Sequence, residues 1–126
     1  MHGAGITDTL GAGLQMALFD AAGKLAGVPV YRLLGTKVRD WCAISFWDHD
    51  MSPEKYEIEA ITAVELGYTC IKIKTRPWFD VRETVRRISE ATPDHFHIDA
   101  DWNAFLNNAG NAVPLLRELE RDYPKI

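Results

Sequence analysis

Residues 69–80 read TCIKIKTRPWFD. Ile71 and Ile73 alternate with Lys72 and Lys74, the two-residue period of a strand. One face is therefore apolar, and the other carries two ammonium groups about 6.6–7 Å apart. Burying such a pair costs on the order of several kcal/mol per ion unless anions meet it. The same crowding lowers a lysine's pKa, which a base working near neutrality needs. The plainer alternative is an edge strand whose solvated lysines guard against aggregation. The neighbouring segments decide between the two.

Upstream, Leu14, Ala17, Leu18, Ala21 and Leu25 recur at helical spacing, predicting a helix over 7–26 that Gly27 and Pro29 stop. "WCAISFW" predicts a strand over 41–47. Ser52 and Pro53 open a helix with Ile58, Ile61 and Val64 as its apolar stripe, and Gly67 closes it. After the lysine strand, read as 69–75, Asp80 and Glu83 have capping-box spacing before Val81, Val85 and Ile88. Pro93 ends that helix, and "HFHIDAD" gives a strand over 95–101. A last helix carries Leu115, Leu116 and Leu119, and "YPKI" begins a fourth strand. Strand starts recur about every 26–30 residues with a helix between, the βα unit of a barrel. A whole barrel takes about 250 residues and this chain offers about three and a half units, so the expected fold is α/β, a partial (β/α) TIM-type barrel. A flavodoxin-like sheet is the alternative, though it normally has about five strands.

The third strand changes the weight given to the lysines. His97, Asp99 and Asp101 share one face of "FHIDAD" and Phe96, Ile98 and Ala100 the other, so the rim that collects Lys72 and Lys74 also collects two aspartates. A hard divalent cation such as Mg²⁺ takes several carboxylate oxygens, and Asp99 can give one. Asp101 and Asn103 serve equally as turn-makers after the strand. Trp47, Trp78 and Trp102 each fall just past a strand, either as an apolar pocket wall or as loop packing. Arg76 meets either an anionic group of a substrate or a neighbouring carboxylate.

The 126 residues are 47% hydrophobic and 25% charged with a formal net charge of −4, a globular composition. Interspersed charges of mildly acidic balance recommend no nucleic-acid and no anionic-membrane partner. No basic start followed by an apolar run follows Met1, and Cys42 and Cys70 sit in apolar runs, so buried reduced thiols and a cytoplasmic setting are expected.

Taken together, the chain resembles the mandelate racemase and muconate-lactonising branch of the enolase superfamily. "ALFDAAGKLAGVPVYRLLG" (17–35) is similar to the last helix of that family's capping domain and its passage into the barrel. "GYTCIKIK" (67–74) is similar to the second barrel strand with its K-x-K motif, "HIDAD" (97–101) to the third with the first metal aspartate, and "AVPLLRELE" (112–120) to the following helix. The resemblance implies a capping-domain end over 1–37 and a truncated barrel over 38–126. It also implies removal of the proton next to a carboxylate, with the resulting anion held on Mg²⁺. By the same likeness Lys74 is the general acid/base, Lys72 its partner, and Asp99 the first of three metal ligands. Lysine bases with Mg²⁺ are the general pattern of such sites. The partner is a small-molecule carboxylate, the reaction acid-sugar dehydration or racemisation, and the parent a homo-oligomer, while the isolated chain is a poor catalyst or none. Asp101 stands where the family usually has asparagine, which brings an extra negative charge beside the metal. The rivals are a zinc amidohydrolase reading of His95, His97 and Asp99, a Schiff-base lysine, and a non-catalytic barrel remnant.

Overall fold

The computed structural model describes residues 6–126, with side chains from residue 11 onward. The reading of the first residues as lacking a leader falls largely outside the described portion. Two compact units divide the chain, the first ending at Cys42 and the second running Ala43–Ile126. In the first, helix α1 (Ile6–Ala26) leads through a turn to the short helix α2 (Tyr31–Leu34). Gly27, at φ 67°, takes the left-handed conformation that ends α1 at no steric cost. No helix among the described residues is long and apolar enough to cross a membrane.

In the second unit the elements alternate: β1 (Phe46–Trp47), α3 (Pro53–Glu65), β2 (Cys70–Lys74), α4 (Val81–Ala91), β3 (His97–Asp101) and α5 (Ala109–Asp122). The strands form one parallel sheet in the order β1-β2-β3. Ile71 stands opposite Phe46 on one side and Ile98 on the other, while Lys72 faces Asp99 and Lys74 faces Asp101 across the ladder. Tyr56, Ala60 and Ala63 of α3 and Val85 and Ile88 of α4 bury themselves with Ile71, Ile73, Phe96 and Ile98 in a single core. Fully burying each of these isoleucines and valines contributes about 1.5–3 kcal/mol. α3 and α4 thus cover one face of a sheet whose strands advance in sequence order. That is the winding of a partial barrel; a flavodoxin-like sheet reverses order at its first strand.

Several boundaries and faces differ from the sequence reading. Of the expected 41–47 strand, the stretch Phe46–Trp47 forms β1, in register with Ile71 and Lys72 of β2. β3 begins at His97 rather than residue 95, after Pro93 has accepted a turn hydrogen bond from Phe96. α3 buries Tyr56, Ala60 and Ala63; of the expected stripe Val64 packs partly against the core, while Ile58 is 61% exposed and Ile61 39%. The two alanines let the helix backbone approach the sheet closely, and that rotates the larger isoleucines outward. The capping box is half made: Asp80 accepts from the Arg82 amide, but Glu83 turns to Arg86 and Arg87 instead. Cys42 is exposed and Cys70 only half-buried, contrary to expectation. Cys70 occupies the lysine face, which neither α3 nor α4 covers.

The segment after α5 pairs once with β3, the Ile98 amide donating to the Lys125 carbonyl at 2.8 Å. The Lys125 ammonium is buried and donates to the carbonyls of Ser89 and Thr92 at 2.6 and 2.7 Å. A cation there satisfies carbonyls that the end of α4 leaves open. Lys125→Met should lower stability by about 1–3 kcal/mol, since those carbonyls lose a charged donor. Urea unfolding followed by circular dichroism checks it, and an unchanged midpoint would show that the buried ammonium contributes nothing.

Candidate active site

The face of the sheet turned away from α3 and α4 carries the charged side chains. Alternation along β2 and β3 brings Lys72, Lys74, Asp99 and Asp101 onto it. The lysine ammonium groups converge on one carboxylate oxygen: Lys74 Nζ donates to Asp101 Oδ2 at 2.8 Å, and Lys72 Nζ lies 3.1 Å from the same atom. Lys74 also donates to Asn103 Oδ1 at 2.9 Å. Lys74 is the more enclosed of the two, 16% exposed against 41% for Lys72. The hydrogen bond from Lys74 holds the Asp101 carboxyl well below the usual carboxylate range, helped by the Asn103 amide and Lys72. Two ammonium groups sharing one carboxylate leave a net positive charge, which an anionic substrate would neutralise.

Asp99 stands apart from this cluster. Its Oδ2 accepts a hydrogen bond from Ser45 Oγ at 2.8 Å, and its side chain is exposed. Carboxylate and hydroxyl oxygens are the donors a hard divalent cation takes, so Asp99 suits a Mg²⁺ ligand. It offers one carboxylate, and no group of three His, Cys, Asp or Glu side chains able to hold a metal occurs among the described residues. A complete set needs further oxygens. The negative charge of Asp101 is directed at the lysines rather than at Asp99.

The backbone around the lysines is fixed by Tyr56, which the sequence reading did not single out. From α3, its hydroxyl accepts the Lys74 amide at 2.7 Å and donates to the His49 carbonyl at 2.7 Å. Burial pushes this phenol's pKa up and keeps it a neutral donor. The small residues at Ala60 and Ala63, one and two turns on, were the available signal that this aromatic pointed inward.

The loop after β3 is wound tightly. Asn103, Ala104 and Asn107 all have positive φ, at 45°, 67° and 64°. Asparagine tolerates this conformation; alanine is strained by it. The Asn103 amide donates to Asp101 Oδ1 at 2.9 Å, so the loop's first turn is tied to the lysine cluster.

The remaining candidate residues spread along the rim. Trp47 stands edge-on to His49, and Trp78 edge-on to Phe105 with ring centres 6.0 Å apart. Trp102 lines a separate cleft of about 290 Å³ beside Ile98, Asp99, Leu116 and Leu119. The three tryptophans therefore have three different sets of neighbours. The Arg76 guanidinium stacks over Phe105 at 5.2 Å from its ring centre. His97, opposite Cys70, lies at the far end of the strand from Asp101.

No protein-family model matches the chain. Over 114 residues it is 30% identical to an N-succinyl-L-Arg/Lys racemase of Bacillus cereus, an overlap of 88% of this chain and 30% of that protein. It is 34% identical over 136 aligned positions to a D-xylonate dehydratase of Haloferax volcanii, covering 89% of this chain and 32% of the relative. Among solved structures it is similar to a Bordetella bronchiseptica protein assigned as a mandelate racemase and complexed with 2-oxoglutarate/phosphate. There the TM-score is 0.66 and the identity 26%, over 86% of this chain and 30% of that one. The chain spans less than a third of the length of these relatives.

Two stability predictions follow from this geometry. Because the Asp101 pKa is depressed in the folded chain, its contribution is full above the unfolded value of about 3.9 and is lost as pH falls toward the folded value. The stability gap between the parent chain and Asp101→Asn should thus be widest near neutrality and close in acid; a gap independent of pH would contradict the pairing. Ala104→Gly should raise stability by about 1 kcal/mol by relieving the left-handed strain, measurable as a higher urea midpoint.

Proposed function

Because the chain belongs to the mandelate racemase branch of the enolase superfamily, we propose that it carries the base-bearing side of a site that removes the proton next to a carboxylate. The supporting observation is the β2–β3 register, which aligns Lys72 with Asp99 and Lys74 with Asp101 on the face that α3 and α4 leave open. Racemisation, epimerisation and dehydration of such acids all begin with this proton removal, so the reading accommodates the likeness to both a racemase and a dehydratase.

In this reading Lys74 exchanges the proton at the substrate α-carbon through Nζ. Asp101 and Asn103 hold that ammonium in place, and Tyr56 fixes the backbone from which it projects. Lys72 supplies the second positive charge, which attracts the substrate carboxylate. Asp99 with Ser45 would hold Mg²⁺ together with carboxylates from outside these 126 residues. When bound, the metal supplies positive charge to the substrate carboxylate as its α-carbon becomes anionic. The opposite-face base and the remaining ligands also belong to that larger protein, so the chain by itself is a poor catalyst or none. The partner is a small carboxylate, and acid sugars fit the dehydratase likeness.

The test is α-proton exchange in D₂O with Mg²⁺, using the full-length protein that carries this chain and a panel of acid sugars and N-acyl amino acids. Lys74→Met should reduce exchange by at least about 10²-fold, the usual contribution of a positioned acid/base group. Asp99→Asn should abolish the Mg²⁺ dependence. Exchange unaffected by Lys74→Met would defeat the reading.

A further inference from the structure

Arg82, Arg86, Arg87 and Arg121 each hold a carboxylate within ion-pair distance. Arg76 does not. It is half-buried, and its hydrogen bonding among the described residues comes down to one long contact, Nη1 to the Thr75 carbonyl at 3.4 Å. Its guanidinium lies over the Phe105 ring, which is braced edge-on by Trp78. Stacking holds the plane of the group and leaves its N–H edge available for two parallel bonds to an oxyanion. A half-buried cation without an anion is costly, so the arrangement gains when one arrives.

The position of Arg76 says where that anion would sit. Arg76 follows Lys74 by two residues, about 6.6–7 Å on if the extended run continues. The same loop receives both: Lys74 bonds Asn103, and Arg76 stacks on Phe105 two residues later. We propose that Arg76, held over the Phe105 ring, is a specificity-determining residue that selects a dianionic acid carrying a second oxyanion at the end remote from the reacting carboxylate. This rests on the proposed function only for placing the first carboxylate at Lys72 and Lys74. Six-carbon sugar acids have the reach to span the two positions, and carboxylate and phosphate share the geometry that a guanidinium fork reads.

The test is calorimetric titration of the full-length protein that carries this chain, in Mg²⁺ buffer, with gluconate, glucarate and 6-phosphogluconate. These share a carboxylate and differ at the far end in bearing a hydroxyl, a carboxylate or a phosphate. Glucarate or 6-phosphogluconate should bind about tenfold more tightly than gluconate, the effect of one charged hydrogen-bonding partner. The tighter of the two names the oxyanion. Arg76→Gln should erase the preference and leave gluconate within about twofold; Arg76→Lys, which keeps the charge but lacks the fork, should retain part of it. Equal affinity for all three acids, no binding of either dianion, or a preference that survives both substitutions would overturn the proposal. The two readings fail separately. If Lys74→Met leaves gluconate binding unchanged while Arg76→Gln still erases the preference, the carboxylate site at the lysines falls and Arg76 stands. If Lys74→Met weakens all three acids and Arg76→Gln weakens none, the reverse holds.

Discussion

Two ammonium groups sharing one oxygen of Asp101 are the interaction on which the rest of this site depends. Without that carboxylate, Lys72 and Lys74 would repel each other across one strand repeat, and the half-buried Lys74 would lack an anion. With it, both are held at the rim, and the cluster retains net positive charge. The pairing exists because parallel register sets Lys74 opposite Asp101 while the alternate residues, Ile71, Ile73 and Ile98, are locked into the core. Slipping either strand by one residue would turn these isoleucines outward and the lysines inward, so burial of the apolar face enforces the geometry of the polar one.

Tyr56 links the two layers. Its ring is part of the core, while its hydroxyl bonds the Lys74 amide and the carbonyl of His49 in the loop after β1. A buried hydroxyl with both a donor and an acceptor partner costs little, and it connects α3 packing to the position of the lysine backbone. The strained Asn103–Asn107 turn is held by the same cluster through Asp101, and strain of this sort persists only where neighbouring contacts determine the backbone.

The alternation in "CIKIK" and "HIDAD" made the sheet and its two faces legible, because period-two patterning survives whenever one face is buried and the other polar. The partners of the charges were less legible. Sequence order cannot say that Asp101 rather than Asp99 takes the lysines, since that depends on register across two strands. Of the expected α3 stripe only Val64 packs against the core, for a related reason. Ile58 and Ile61 are the larger hydrophobes, but helix–sheet distance favoured Ala60 and Ala63 at the contact. Cys70 was expected inside because its run is apolar, yet in a strand alternate residues part company, and it shares its face with Lys72. The first strand runs over Phe46–Trp47, two residues of the expected 41–47.

The sharing of Asp101 can be observed directly by nuclear magnetic resonance of the lysine ammonium groups. With ¹⁵N-labelled lysine and ¹³C-labelled aspartate, the ammonium nitrogens of Lys72 and Lys74 should exchange slowly with water, and Lys74 should show a coupling through its hydrogen bond to the Asp101 carboxyl carbon. Ammonium signals as fast-exchanging as those of exposed Lys24, with no coupling to Asp101, would contradict the account.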